Sequence, residues 1–89
     1  MARIRLESPF AERIDGTEAV EVLAPTVEAA LRELTDRYPQ LVRLIWISSG
    51  VVNPLLAVFV NDKLLEPHEL SAALKSDDEI DIIAAVAGG

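Results

Sequence analysis

One segment, between residues 26 and 38, most constrains the fold of this chain. Its apolar residues recur every three or four positions and therefore share one face of an α-helix: Val27, Ala30, Leu31, Leu34 and Tyr38. Thr26 is a residue type that caps a helix N-terminus, and Pro39 ends the helix because the residue before a proline avoids the helical region. The remaining apolar residues must therefore be buried mainly by strands.

Two strands are predicted before this helix. Residues 3–7 alternate charged and apolar side chains, which is the period of a half-buried strand. Residues 17–23 place Val20 and Val22 on one face and follow a turn signal at Asp15-Gly16. We expect the two strands to form a hairpin with a connection longer than the tightest turn.

Further strands are predicted after the helix. Residues 55–60 form a continuous apolar run, and residues 63–65 return as a short strand after the turn Asn61-Asp62. Residues 67–74 indicate a helical turn, and residues 79–86 a last strand whose even-numbered residues share one face. Segment 40–54 has apolar residues without a clean period, and we expect it to be a connection with a short strand or turn, folded over the core edge.

This order of elements predicts an α+β fold, in which one main helix packs on one face of a mixed four- to five-stranded sheet. With 89 residues, the chain is short enough for a single domain. We assign that domain to residues 1–86 and a flexible C-terminal diglycine tail to residues 87–89.

Charge and cysteine content exclude several functions. The sequence has 8 basic and 15 acidic residues, a net charge of −7, which disfavours nucleic acid and anionic membranes. A basic protein partner fits this charge, although acidity also serves solubility alone. No cysteine is present, so disulfides and thiolate sites are excluded and a reducing cytoplasm is favoured. The first residues lack a signal-peptide apolar run, and no uncharged stretch is apolar enough to span a bilayer.

Residues for conventional catalysis are scarce. His68 is the only histidine and stands between Glu66 and Glu69 in a polar turn, where a solvated surface histidine is expected rather than a metal ligand. The acidic run from Asp77 to Asp81 lacks the glycine and distal glutamate of a calcium loop. We therefore predict no metal site, no bound cofactor and no active site of the protein's own.

The end of the sequence is the remaining chemical feature. Gly88-Gly89 follow the last strand and have no side chains, so they could enter a channel too narrow for any Cβ. The carboxylate of Gly89 is a poor electrophile until another enzyme converts it, with ATP, to an acyl-adenylate. Sulfur or an amine could then attack that adenylate.

Three stretches give the chain a resemblance to the MoaD/ThiS family of ubiquitin-like sulfur carriers, which have the β-grasp fold. They are Val58-Phe59-Val60-Asn61-Asp62, Ser76-Asp77-Asp78-Glu79-Ile80 and Ala85-Val86-Ala87-Gly88-Gly89. Asp77 departs from the glycine common at its place in the turn. The last residues are more similar to small subunits of molybdopterin synthase and to carriers for cysteine synthesis than to thiamine carriers.

The resemblance implies a mechanism in which the protein is a co-substrate. An E1-like adenylyltransferase would activate Gly89 with Mg-ATP, and a sulfurtransferase or other sulfur donor would form a thiocarboxylate. A downstream synthase subunit would take the sulfur for cofactor or amino-acid synthesis, with molybdopterin or cysteine favoured. The protein would be at most the small subunit of an enzyme such as molybdopterin synthase.

Two alternatives stay open at this point. The same activated glycine could form an isopeptide bond with lysine, as in a ubiquitin-like protein modifier, or the domain could be a non-covalent β-grasp binding module. The sequence also leaves the receiving pathway open, among molybdenum cofactor, cysteine, thiamine and tRNA thiolation.

A docking face follows from strand alternation in such a sheet. If the even-numbered residues of strand 55–60 face the helix, the odd-numbered ones lie on the opposite face, beside the odd-numbered residues of the last strand. The predicted partner-binding residues are Phe59, Ala57, Ile83, Ala85 and Ala87. The alternative is that Trp46 and segment 40–54 cover this patch.

Overall fold

The computed structural model describes residues 1–84, and in it the predicted helix packs on one face of a five-stranded sheet. The strands and helices, in chain order, are β1 (Ala2–Leu6), β2 (Ala19–Val22), α1 (Val27–Arg37), α2 (Val42–Ile45), β3 (Trp46–Ser48), β4 (Val51–Val52), β5 (Leu56–Val60), β6 (Lys63–Leu64) and β7 (Glu79–Ala84). Short 3-10 turns occur at Ala11–Ile14, Pro39–Leu41 and Pro67–Glu69. Residues 85 and 86 of the predicted last strand, and the tail at 87–89, lie outside the described residues.

The main sheet has the strand order β2-β1-β7-β5-β6. Strands β1 and β7 run parallel, whereas the other neighbouring pairs are antiparallel. The first and last strands of the described chain are therefore neighbours at the centre of a mixed sheet. This arrangement confirms the predicted α+β class and the β-grasp fold.

The core lies between α1 and one face of the sheet. Alternation brings every second strand residue to that face, and these side chains are almost fully buried: Ile4, Leu6, Val20, Val22, Val58, Ile80 and Ile82. The helix contributes its predicted apolar stripe, of which Val27, Ala30, Leu31 and Leu34 are buried. Fully burying a side chain such as Leu34 contributes about 1.5–3 kcal/mol, so the stripe fixes the helix on the sheet.

Both predicted ends of the helix are confirmed. The Thr26 hydroxyl oxygen accepts a hydrogen bond from the backbone N–H of Ala29 at 3.1 Å, which satisfies one of the free donors of the first turn. At the other end, Tyr38 donates its backbone N–H to Leu34 and leaves the helical conformation directly before Pro39. Tyr38 is half-buried against the core rather than fully inside it.

Segment 40–54 contains more structure than its sequence predicts. The 3-10 turn, helix α2 and the β3–β4 hairpin follow one another within 14 residues, and each is too short to show a period. Leu41 and Ile45 are fully buried, so this segment forms part of the core as well as its edge.

The turn Asn61-Asp62 is confirmed between β5 and β6. Asn61 and Asp62 have φ values of 50° and 69°, the left-handed pair that a two-residue hairpin turn requires and that Asn and Asp tolerate. Because the turn has two residues, Val60 pairs with Lys63 and Phe59 pairs with Leu64.

Within residues 1–84, no helix has the length and apolarity needed to cross a membrane.

Candidate partner-binding face

The pairing of β5 with β7 decides which side chains lie on the face away from the helix. Leu56 pairs with Ala84, Ala57 with Ile83 and Phe59 with Asp81. Val58 and Ile82 are buried on the helix side, so their neighbours Ala57, Phe59 and Ile83 lie on the opposite face. The structure thus brings together the three predicted site residues that it describes.

Four apolar side chains form what we call the outer patch: Ala57, Phe59, Leu64 and Ile83. Leu64 and Ile83 expose 50% and 38% of their surfaces, and Ala57 and Phe59 are half-buried. Within residues 1–84, none of the four belongs to the core cluster or to the partly buried residues packed against it. The patch therefore presents a largely aliphatic surface with one aromatic ring to solvent.

Leu64 was not among the residues predicted for this surface. The signal for it was nevertheless available in the sequence, because a two-residue turn at Asn61-Asp62 fixes the pairing of Phe59 with Leu64. Residues that pair across two strands share a face. Strand alternation alone does not predict Leu64, because its face depends on the register that the turn sets between β5 and β6.

The alternative that Trp46 and segment 40–54 cover the patch is not supported by the contacts of Trp46. The Trp46 indole N–H donates to the Thr35 hydroxyl at 3.1 Å, and Thr35 lies on α1. The indole also lies beneath the guanidinium of Arg32, 5.6 Å from its centre. Trp46 is therefore held on the helix side of the sheet, away from Phe59.

The other half of the outer face carries charged pairs. Arg3 on β1 contacts Glu79 on β7 at 2.6 Å, and Arg5 contacts Asp81 at 3.4 Å. The hydrogen bond from Arg3, and then its positive charge, hold the pKa of Glu79 below its usual value. This side of the face joins two neighbouring strands by ion pairs, and Asp81 lies at its border with Phe59.

A polar clamp holds the β5–β6 turn against the start of β7. The Asn61 side chain donates to one Asp78 carboxylate oxygen at 2.8 Å, and its carbonyl accepts from the Glu79 N–H at 3.0 Å. The other Asp78 oxygen accepts from the Lys75 N–H at 2.8 Å. These bonds, first that from Lys75 and then that from Asn61, lower the pKa of Asp78. The clamp fixes β6, and hence Leu64, beside Phe59.

His68 and the acidic turn at residues 77–81 are the sequence features that could have suggested a metal site. His68 is exposed in the 3-10 turn, and Asp78 uses both carboxylate oxygens in the clamp described above. Among residues 1–84, no group of three or more histidine and carboxylate side chains converges as metal ligands would. The remaining predicted site residues, Ala85, Ala87, Gly88 and Gly89, lie outside the described residues.

Comparisons with known proteins agree with the fold. The family model described as the ThiS family matches residues 9–89, whereas no curated protein matches the sequence significantly. Small archaeal modifier protein 1 from Methanosarcina acetivorans is similar in structure, with a TM-score of 0.87, 25% identity and coverage of 99% of this chain and 95% of that one.

Two solved complexes contain chains with the same fold. The match in the BexX/CysO complex of Amycolatopsis orientalis has a TM-score of 0.85, 22% identity and full coverage of both chains. The match in the complex of subunits 1 and 2 of molybdopterin-converting factor from Helicobacter pylori has a TM-score of 0.62 and 23% identity, and covers 99% of this chain and 97% of that one. Because the family model spans nearly the whole sequence, the chain belongs to the ThiS family of ubiquitin-like, β-grasp sulfur carriers.

Proposed function

We propose that this protein carries sulfur as a thiocarboxylate on Gly89. An E1-like enzyme with Mg-ATP would join the Gly89 carboxylate to the α-phosphate of ATP and release pyrophosphate. Sulfide would then displace AMP and give the thiocarboxylate directly, whereas a sulfurtransferase persulfide would displace AMP to give an acyl disulfide, from which a second thiol releases the thiocarboxylate by forming a new disulfide. Transfer of that sulfur to the substrate of a downstream synthase would restore the carboxylate, so the chain is a co-substrate and not the catalyst.

The position of Ala84 is the observation that carries the proposal. Ala84 is the last described residue of the central strand β7 and pairs with Leu56, next to the pair formed by Ile83 and Ala57. Five residues separate it from the end of the sequence and extend at most about 17 Å. A partner that binds the outer patch therefore has Gly89 within reach of an active site close by.

The type of partner is part of the same proposal. The chains compared above include members of complexes with BexX and with a second subunit of molybdopterin-converting factor. We propose that the outer patch binds an E1-like enzyme and then a synthase subunit, one at a time, because both need the same terminal glycine. Sulfur delivery for molybdopterin or cysteine synthesis is our preferred role, and the cysteine-free sequence fits a reducing cytoplasm.

The direct test is to incubate the full chain with candidate E1-like enzymes, Mg-ATP and a sulfur donor, and to measure the mass of the last peptide. We expect replacement of one oxygen by sulfur at Gly89, with release of pyrophosphate. A chain extended by one alanine is the matched control and should not be activated. Equal activation of the extended chain, or unchanged function after deletion of Gly88 and Gly89, would contradict the proposal.

Conjugation to other proteins is the second candidate, and the likeness to small archaeal modifier protein 1 favours it. It uses the same adenylate, but a lysine amine displaces AMP and forms an isopeptide bond. Intact-mass analysis of the protein from its native cells distinguishes the two. Lysine-linked conjugates without a thiocarboxylate form would replace the carrier role with the modifier role.

A further inference from the structure

A second apolar surface lies on the helix side of the molecule, away from the outer patch. It is a groove between strand β4 and the segment that follows β6, and we call it the hairpin groove. Its two halves have volumes of about 370 Å³ and 330 Å³ and share Val51, Val52, Pro67 and Leu70 as walls. Leu56 and Leu65 extend the apolar wall of the larger half.

Large apolar side chains around this groove are unusually exposed. Ile47 and Val51, which line the larger half, expose 60% and 47% of their surfaces and belong to the β3–β4 hairpin. Contiguous apolar surface on a small protein marks an interaction site more often than scattered single residues do. Exposed aliphatic residues beside an apolar groove therefore indicate a binding surface.

The groove is suited to an apolar side chain rather than to a polar small molecule. Asn53 is the one polar residue among those that line the larger half in the described part of the chain. Its amide N–H donates to the Leu44 carbonyl at 3.3 Å, and its amide oxygen accepts from the Leu55 N–H at 3.0 Å. Its hydrogen bonds are thus directed into the fold, so the larger half offers mainly aliphatic contact, whereas the smaller half is also lined by Glu28, His68 and Ser71.

The rim of the groove is acidic. Glu66 and Glu69 stand beside the wall residues Pro67 and Leu70, each carboxylate accepts the backbone N–H of the other residue, and neither contacts a cation among residues 1–84. The sequence from 61 to 84 contains 2 basic and 7 acidic residues, 2 − 7 = −5. Part of this charge, that of Glu79 and Asp81, lies on the outer face beside Arg3 and Arg5, whereas Glu66 and Glu69 carry the charge beside the groove.

Charge decides between the possible occupants. A second copy of the chain would bring another acidic surface, and the chain's own end would bring the Gly89 carboxylate, so both meet repulsion. We propose that the hairpin groove binds a partner segment in which an aliphatic side chain is flanked by lysine or arginine. The apolar side chain enters between Val51 and Leu70, and the basic residues lie beside Glu66. This interaction is independent of the chemistry at Gly89.

A peptide of two leucines flanked on each side by two lysines tests the proposal on the full chain. We expect saturable shifts of the NMR amide signals of Val51, Val52, Leu65 and Leu70, and loss of those shifts when serine replaces both leucines. Glu66→Gln keeps the oxygen that accepts the Glu69 N–H but removes the charge, and it should weaken binding roughly threefold to tenfold. Glu18→Gln, a matched change at an exposed site outside the groove, should leave the affinity unchanged.

Four outcomes would overturn the proposal. Absence of shifts at millimolar peptide shows that the groove does not bind such a segment, and equal weakening by Glu66→Gln and Glu18→Gln shows general charge attraction. Shifts of the same amides with protein concentration, without peptide, identify a second copy as occupant. Shifts of those amides on deletion of Gly88 and Gly89 identify the chain's own end.

Discussion

Ile82 and Ile83 are consecutive residues of β7 that lie on opposite faces of the sheet. Ile82 is fully buried against α1, whereas Ile83 pairs with Ala57 on the outer face and exposes 38% of its surface. The two therefore form a matched pair, with identical side chains at neighbouring positions of one strand but on opposite faces of the sheet.

Alanine substitutions at these two residues should separate stability from binding. Ile82→Ala leaves a cavity in the core and should lower the free energy of unfolding by about 2–5 kcal/mol. Ile83→Ala should change it by less than about 1 kcal/mol and should instead weaken partner binding. Urea denaturation of both variants measures the difference, and a similar loss of stability in both would show that the outer face is buried in the free protein.

The role of Phe59 in the outer patch can be tested with a substitution that adds no negative charge beside Asp81. The cross-strand partner of Phe59 on β7 is Asp81, so an aspartate at position 59 would be destabilising through repulsion. Phe59→Ser removes the ring without adding charge, and it should lower the affinity for the E1-like partner at least about tenfold, as expected for an aromatic anchor. Unfolding of the variant, seen by circular dichroism, would instead make Phe59 a structural residue.

The Asn61–Asp78 clamp predicts a pH dependence of stability. Because the pKa of Asp78 is lower in the folded protein than its usual 3.8, the unfolded chain takes up a proton first as the pH falls. The contribution of Asp78 is therefore full above about pH 4–5 and is lost as the pH falls through the folded pKa. Urea denaturation from neutral pH to about pH 2.5 should show the wild type and Asp78→Asn converging in acid. A constant difference would contradict this role of the carboxylate.

The Arg3–Glu79 pair predicts a shift that can be measured at one residue. Arg3→Gln removes the hydrogen bond and the charge that lower the pKa of Glu79, so that pKa should rise toward its usual value. NMR titration of the Glu79 carboxyl carbon measures the change. Stability should change little, because both side chains are partly exposed and such pairs contribute about 0–1 kcal/mol.

The hydrogen bond between Trp46 and Thr35 predicts how the hairpin is attached to the helix. Thr35→Val removes the oxygen that accepts the indole N–H, and this should lower the free energy of unfolding by about 1–2 kcal/mol. Trp46 is the only tryptophan, so its fluorescence reports the local change directly. Thr35→Ser keeps the hydroxyl and should preserve the emission spectrum, whereas an unchanged spectrum in Thr35→Val would contradict the contact.

The sequence predicts those helices and strands that are long enough for their spacing of apolar residues to recur. The helix spacing from Val27 to Leu34 and the strand alternation around Ile82 each repeat often enough to identify the buried face. That alternation also placed Ala57, Phe59 and Ile83 together. Leu64 required one further step, because its face depends on the register set by a turn.

The hairpin groove could not be predicted in the same way. Its walls come from Val51 and Val52 on one side and from Pro67 and Leu70 on the other, and no short-range pattern connects residues so far apart. The secondary structure of segment 40–54 could not be predicted either, because a single helical turn and strands of two or three residues are too short to show a period. Within segment 40–54, Leu41 and Ile45 are fully buried, so tertiary packing rather than a local period fixes its path.

The central position of β7 has a consequence for how the molecule is made and handled. Strand β1 lacks its parallel neighbour until residues 79–84 have been synthesised, so the complete sheet forms only after β7 has been made. Strand β7 precedes Gly89 in the sequence and is hydrogen-bonded to β1 on one side and to β5 on the other. An enzyme that pulls on the end of the chain therefore pulls along β7 against the hydrogen bonds to both β1 and β5. Breaking these two sets of bonds together needs more force than separating an edge strand from one neighbour, one bond at a time.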